Sequence, residues 1–288
     1  MRQHPTPAIL QKTVLHALPI STLLALAVAG LHGQQPQIVA HVLDVKGDWR
    51  LDGSTGGVKA GQGLAAGARI TATTPHAGDG ITIVHDDDMS RQRVPCDGKA
   101  NDPCRNPVVI AGPTSSEPSG MSQVKNMLQS ALAVLLNKPP AITSHYAMTL
   151  SRGADSVREL EAVAALDPAQ GVTPPPPPQD MAAGTYTFSI AHAGDAASSS
   201  EKTVTLTSEG TWRPFSIDAP GLYEVTILNG DQEKVANLML LVTAPAKYNE
   251  ERDKFEALRK AADTWTGQDA ASDEHLVLRA FLVAENQP

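Results

Sequence analysis

Aromatic residues are scarce in this sequence. Phe, Trp and Tyr together make up 4% of its 288 residues, whereas apolar residues as a whole make up 41%. With so few aromatic residues, we expect cores of Val, Leu, Ile and Ala in sandwich-like layers. The length and the apolar fraction suffice for one large domain or two ordinary ones.

Clusters of basic residues are also missing. The chain has 23 Lys and Arg against 31 Asp and Glu, a formal net charge of −8, and its bases are scattered among the acids. Binding to a phosphate backbone requires grouped Lys and Arg. The composition therefore argues against a nucleic-acid partner.

Catalytic and metal-binding motifs are absent as well. The sequence has no His-Glu-x-x-His, Gly-x-Ser-x-Gly or Walker loop, and its nine histidines show no ligand spacing. The run His85-Asp-Asp-Asp88 lacks the spaced oxygen ligands of a calcium loop and predicts a solvated turn. We expect no enzyme, cofactor or metal, although carboxylates that meet only in the fold leave glycoside hydrolysis open.

The first 33 residues have the three parts of a signal peptide. They contain the bases Arg2 and Lys12, an apolar run at residues 20–30 and the small residue Gly33 before Gln34. The apolar run is short for a helix that spans a bilayer in about 20 residues. We expect cleavage and a periplasmic or secreted protein without a stable membrane span; retention as an anchor is the alternative.

The two cysteines fit an exported chain. Cys96 and Cys104 bracket a polar, turn-forming loop whose ends can meet. An exported chain with two cysteines most simply pairs them, so we predict a disulfide. A metal site is the alternative, but it lacks a second pair of ligands.

The first β region, residues 37–115, alternates between short apolar runs and glycine turns. Three of its runs are Val-Lys-Gly-Asp-Trp from Val45, Val-Lys-Ala-Gly-Gln-Gly-Leu-Ala-Ala-Gly-Ala-Arg-Ile-Thr from Val58 and Ile-Thr-Ile-Val from Ile81. Together they resemble FecR-like extracytoplasmic domains over residues 42–95. The resemblance implies a small all-β fold, which in signalling members senses a receptor in the periplasm.

A helical connector is predicted at residues 116–170. Apolar residues recur at helical spacing from Met121 to Leu135, and a second short helix is expected over residues 155–166. Five consecutive prolines then lie within residues 171–180. Because proline lacks an amide donor, this run predicts a linker or loop between two halves of the chain.

Residues 181–245 contain five alternating strand patterns that predict a β-sandwich. The run from Ala219 to Val225 resembles the turn and strand of immunoglobulin-like modules. Trp212, Phe215 and Tyr223 are candidates for a glycan-stacking platform; packing in the core is the alternative. Residues 246–288 predict a helical hairpin whose last helix is apolar almost all round. Its Leu276, Phe281 and Leu282 are candidates for partner docking, with burial in their own domain as the alternative.

These observations predict a mainly β fold with α additions, in which a FecR-like domain precedes an immunoglobulin-like sandwich with two terminal helices. The predicted function is that of a non-catalytic exported protein, an interaction or envelope-assembly module whose partner is another envelope protein. A glycan-binding module and a secreted hydrolase are the second and third hypotheses. The sequence leaves the oligomeric state open.

Overall fold

The first part of the chain folds into seven short strands. A computed structural model gives their bounds as β1 (Ile38–Lys46), β2 (Trp49–Leu51), β3 (Gly63–Ala65), β4 (Arg69–Ala72), β5 (Gly80–His85), β6 (Arg91–Pro95) and β7 (Val108–Val109). The structure describes residues 37–99, 101–113, 121–137, 157–178, 180–193, 195–267 and 269–286. The predicted signal peptide lies outside the described residues.

These strands form two small antiparallel sheets that share a core. One sheet has the order β3-β1-β5-β6 and the other the order β2-β4-β7. Successive side chains of a strand point to opposite faces. The facing sides of the two sheets enclose Trp49, which is 1% exposed, together with Ile70 and Ile81. The first part of the chain is therefore an all-β unit with an aliphatic core around one indole ring.

The predicted disulfide between Cys96 and Cys104 is confirmed. The two sulfurs are bonded at 2.10 Å and link the end of β6 to a 3₁₀ turn, Pro103–Arg105. Asp102 accepts hydrogen bonds from the backbone of Asp97, Gly98 and Cys104, which holds the loop between the cysteines. Because both sulfurs are bonded to each other, neither is the thiolate that a metal would need.

A helix, α1 (Met121–Asn137), covers one face of the four-stranded sheet, as its apolar spacing predicts. Its buried residues belong to the same apolar cluster as Leu43 of β1 and Val84 of β5. A Cβ on Gly61, in the turn before β3, would lie 2.1 Å from the Leu132 carbonyl oxygen of this helix. Gly61 also has a φ of +79°, so its lack of a side chain permits both the turn and the close approach.

The second part of the chain forms a six-stranded sheet. Its strands are β8 (Arg158–Asp167), β9 (Gly171–Val172), β10 (Gly184–His192), β11 (Asp195–Leu206), β12 (Gly221–Leu228) and β13 (Lys234–Thr243). They have the order β11-β10-β12-β13-β8-β9, with β8 parallel to β13 and the other pairs antiparallel. Residues 211–217 bridge the two edges, through Trp212 to Leu206 and through Phe215 to Val172. The sheet thereby closes around an apolar interior.

The helix predicted over residues 155–166 is wrong, because residues 158–166 belong to strand β8. Its Glu, Leu and Ala residues favour a helix by intrinsic propensity. In the structure the strand pairs with β13, Ala162 and Ala164 face the closed interior, and Val163 packs against the helices. Burial on both faces outweighs the local preference. Among the described residues of the predicted connector, 116–170, only α1 is an α-helix.

The proline run connects β9 to β10 within one sheet. Strands of that sheet lie on both sides of the run in the sequence, so it is a loop rather than a linker between separately folded halves. Pro174 is buried and Pro176 is exposed, so the loop follows the protein surface. Contacts accordingly place Ile38–Pro288 in one compact unit.

Two C-terminal helices, α2 (Pro245–Ala262) and α3 (Ala270–Glu285), pack with α1 between the two β parts. The predicted docking residues Leu276, Phe281 and Leu282 are 6%, 0% and 0% exposed in the apolar cluster of these helices. The docking prediction is therefore wrong, and the alternative, burial within the chain itself, is correct. None of the helices in the described ranges is long and apolar enough to span a membrane.

A buried ion pair joins the start of α3 to the first β part. Arg91 donates through Nε to Asp273 at 2.6 Å and through Nη1 to the Thr266 carbonyl oxygen at 3.1 Å. Trp265 Nε1 donates to the Met89 carbonyl oxygen at 2.7 Å. Both side chains of the ion pair are 4% exposed. Burial raises the pKa of Asp273 to about 6, although Arg91 opposes the shift.

Asp273 should make the stability of the protein depend on pH. Its pKa of about 6 in the folded chain exceeds the value of about 3.9 for an unfolded Asp. Its contribution to stability is therefore fully present below pH ~4 and is lost as the pH rises through ~6, by roughly 2–3 kcal/mol. Urea unfolding of the natural chain and of Asp273→Asn, from pH 4 to 7.5, measures the effect. The natural chain should lose stability relative to the variant as the pH rises, and a constant difference would contradict the raised pKa.

Gly61→Ala should destabilise the protein by about 3 kcal/mol or more, because a backbone clash adds to a positive-φ strain of about 1 kcal/mol. Gly67→Ala is the matched control, since Gly67 has a φ of +77° but no atom within 4 Å of an added Cβ. Gly67→Ala should therefore lose only the stability that the positive-φ strain costs. Urea unfolding compares the two variants, and equal losses would show that α1 does not restrict Gly61.

Candidate functional site

A cleft opens between strand β8, the proline loop and the two C-terminal helices. Its volume is about 290 Å³. The residues that line it are Glu159, Leu160 and Glu161 of β8, Pro175 and Pro176 of the loop, Arg259 of α2, and Glu274, His275 and Leu278 of α3. Acids, bases and aliphatic groups thus converge from four segments of the chain.

Two glutamates of β8 face the C-terminal helices. Glu159 and Glu161 are two residues apart on a strand, so their side chains share a face. Glu161 is 4% exposed, and both of its carboxylate oxygens are engaged. His275 Nδ1 lies 2.6 Å from Oε2, and Arg279 Nε donates to Oε1 at 2.8 Å. His275 and Arg279 are four residues apart, so one face of α3 presents both to this carboxylate.

Glu159 extends this polar network. It accepts a hydrogen bond from Arg279 and another, at 2.7 Å, from Asn237 Nδ2 of β13. Arg259 of α2 donates to the Glu161 carbonyl oxygen at 3.0 Å. Because the Arg279 side chain is 7% exposed, its charge is balanced by protein carboxylates more than by water. The network ties β8, β13, α2 and α3 together.

Two groups at the cleft have perturbed pKa values. Burial alone would lower the pKa of His275, but the hydrogen bond and charge of Glu161, helped by the charge of Glu274, raise it overall. Burial raises the pKa of Glu274, and the charge of Asp263 adds to the shift. The imidazolium form of His275 therefore persists to higher pH than in an ordinary histidine, and Glu274 binds a proton more readily than an exposed glutamate.

The internal pairing leaves two polar groups for a ligand. Within the part of the chain that the structure describes, no Lys, Arg or His forms an ion pair with the Glu274 carboxylate, and no hydrogen bond engages His275 Nε2. The described lining contains no Ser, Thr or Cys side chain to act as a nucleophile. The arrangement suits binding between aliphatic walls, with Glu274 as a hydrogen-bond acceptor beside an imidazole.

The aromatic residues predicted to stack on a glycan lie elsewhere and are buried. Trp212, Phe215 and Tyr223 are 6%, 5% and 5% exposed in the interior of the closed sheet. Trp212 and Phe215 pack edge to face against Phe188, with ring centroids 5.1 Å and 5.4 Å away. The platform prediction is therefore wrong, because strand alternation and the bridging segment direct these rings inward.

The acidic run at residues 85–88 is not a fully solvated turn. Asp86 is 1% exposed; one of its oxygens lies 2.8 Å from His41 Nδ1, and the other accepts a hydrogen bond from Gln129 Nε2 at 3.0 Å. Gln129 belongs to α1, which covers this end of the sheet. The predicted solvation is wrong for Asp86, whereas Asp88 is exposed.

No pattern in the sequence marks the cleft residues as a site. Glu159 and Glu161 share a face only when their segment is a strand, and helical propensity hides that spacing. One signal is present: His275 and Arg279 lie four residues apart on an otherwise apolar helix. Buried bases on such a helix require acidic partners.

Comparison with known proteins identifies no relative. No protein-family model, curated protein or solved structure matches the chain. The geometry of the cleft and of the fold is therefore the basis for a functional assignment.

Glu161→Gln should lower the pKa of His275, because an amide replaces the charge and the hydrogen bond that stabilise the imidazolium. In the natural chain this pKa should lie above the ordinary value of about 6.5, and in the variant at or below it. Glu256→Gln removes a carboxylate that pairs with Arg259 on the surface and should leave the titration of His275 nearly unchanged. NMR of the imidazole protons from pH 5 to 9 measures all three proteins. Identical titrations in the natural chain and Glu161→Gln would contradict the assigned role of Glu161.

Proposed function

We propose that the chain is a non-catalytic, exported interaction module that binds another protein of the cell envelope through the cleft. The main observation behind this proposal is which charged groups of the cleft already have partners within the protein. Glu159 and Glu161 are engaged by groups of the protein itself, so that Glu274, His275 Nε2 and aliphatic walls are left to meet a partner. A pocket of this kind fixes and orients a bound group.

The proposal includes an immunoglobulin-like arrangement for the closed sheet. Its first strand, β8, is parallel to its last strand, β13, and the edge strand β9 forms an antiparallel bridge from Val172 to Phe215 of the segment 211–217. The Tyr223 hydroxyl donates to the Ala219 carbonyl oxygen at 2.7 Å, which resembles the tyrosine corner of such sandwiches. Many cell-surface domains with this architecture bind other proteins, although architecture alone does not specify a partner.

The proposal also places the chain outside the cytoplasm, with a FecR-like domain at residues 42–95. Short strands and positive-φ glycines such as Gly61 and Gly67 support this domain assignment. The disulfide between Cys96 and Cys104 supports an oxidising compartment, the periplasm or the exterior, where such bonds persist.

Protein binding is preferred to the two other hypotheses on structural grounds. Glycan stacking needs exposed aromatic rings, whereas Trp212, Phe215 and Tyr223 are buried. Glycoside hydrolysis by a carboxylate pair needs two acids that face the substrate. At the cleft, Glu159 and Glu161 are held by internal partners and Glu274 alone is free of an ion pair within the described part of the chain.

The test combines affinity capture with a blocked cleft. The chain from Gln34 onward, immobilised and exposed to cell-envelope extract, should retain a protein that is then identified, purified and titrated by calorimetry. Pro176→Trp places a bulky group at the exposed rim of the cleft and should weaken binding about tenfold or more, roughly 1.4 kcal/mol. Thr203→Trp, at an exposed position of β11 that does not line the cleft, is the matched control. Failure to capture any partner, or equal affinity of both variants, would contradict the proposal.

A further inference from the structure

We infer that the cleft accepts a lysine side chain that projects from the partner protein. This inference rests on the proposed function of the same site and specifies the chemistry of what it binds. It follows from the size of the cleft, its walls, its unpaired carboxylate and the Nε2 atom of His275.

The size of the cleft suits a single side chain. Its volume is about 290 Å³, near the lower limit of about 300 Å³ for small-molecule pockets. A cleft of this volume holds one long side chain with its flanking backbone. A single projecting group of a partner protein therefore fits the cleft.

The walls suit an aliphatic stem. Leu160 and Leu278 line the cleft from β8 and α3, and Pro175 and Pro176 line it from the loop. The methylene groups of lysine bury readily along such apolar surfaces while the ammonium group reaches a polar end. A short acidic or hydroxyl side chain would leave these walls uncovered.

The unpaired charge of the cleft is negative. Glu274 has no ion-pair partner among the described residues, and its carboxyl group is subject to the charges of Asp263, Glu161, His275 and Arg259. Of the two bases, His275 already contacts Glu161, and Arg259 pairs with Glu256. An anionic ligand would therefore meet bases that are already neutralised and a carboxylate that repels it. An ammonium group would instead form an ion pair with Glu274, which has no other ionic partner among the described residues.

In its neutral form, His275 offers lysine a second contact through Nε2. When the neutral ring donates its Nδ1 proton to Glu161, Nε2 is an acceptor, and an ammonium group has three donors. One donor can serve Glu274 and another Nε2. Lysine binding should therefore favour the neutral ring and lower the pKa of His275, an effect that a purely structural role of the network would not produce.

The test uses defined peptides and the chain from Gln34 onward. Acetyl-Ala-Lys-Ala-amide should shift NMR signals of cleft residues with a dissociation constant in the millimolar range, as expected for about one anchored side chain. The same peptide acetylated at Nζ, and a version with Glu in place of Lys, should bind at least about fivefold more weakly, since each lacks the ammonium group. The pKa of His275, followed by its imidazole protons, should fall on saturation with the lysine peptide.

Variants of the protein distinguish binding in the cleft from a general attraction of lysine to an acidic protein. Glu274→Gln should weaken binding of the lysine peptide about fivefold or more, whereas Glu209→Gln, which removes an exposed carboxylate outside the cleft lining, should leave it unchanged. Equal binding of lysine and acetyl-lysine peptides, equal loss in both variants, or stronger binding of an arginine peptide would overturn the inference.

The failure of this inference is distinguishable from the failure of the proposed function. If Pro176→Trp weakens binding of a captured partner but the lysine peptide does not bind the cleft, the proposed function is supported and only the lysine chemistry is refuted. Lysine binding at Glu274 without any captured partner would support the inference and refute the protein-binding role.

Discussion

Burial of helix α3 on nearly all of its faces is the constraint on which the arrangement of this chain depends. Six of its residues, from Leu276 to Leu282 with Arg279 apart, are apolar and at most 6% exposed. A helix that is apolar all round must be covered from every direction. Its cover comes from α1, α2, β1, β8 and β13, segments from both ends of the chain. The two β parts therefore belong to one unit rather than to two independent domains.

The same burial accounts for the ion pairs at the helix. Asp273 and Arg279 are the buried charges of α3. Asp273 pairs with Arg91 of β6 in the first β part, and Arg279 pairs with Glu159 and Glu161 of β8 in the second. Pairs of this kind gain little net free energy, because desolvation offsets most of the attraction, but breaking one leaves a costly unpaired charge. They therefore restrict the rotation and depth of α3 between the sheets. The cleft lies beside the second pair, where the helices meet the proline loop.

Local patterns predicted much of the fold. The short strands of the first part, the α1 helix and the disulfide depend on neighbouring residues: alternation, apolar spacing and a short loop between two cysteines. These patterns do not predict strand β8, because its Ala, Glu and Leu residues favour a helix, whereas its conformation depends on pairing with β13, about 80 residues later. The proline run predicts a linker or a loop alike, because a proline loop within a sheet and a linker between domains have the same composition.

The sequence by itself determined the net negative charge, the mainly aliphatic composition of the cores, the disulfide and the need to bury the last helix, because each of these is a property of composition or of residues close together in the chain. Only the tertiary structure decided what buries that helix, which aromatic rings face inward, and that Glu159, Glu161, Glu274 and His275 surround one cleft. These features arise from contacts between segments far apart in the sequence. Their free energies depend on which surfaces lose water together, and no local pattern records that.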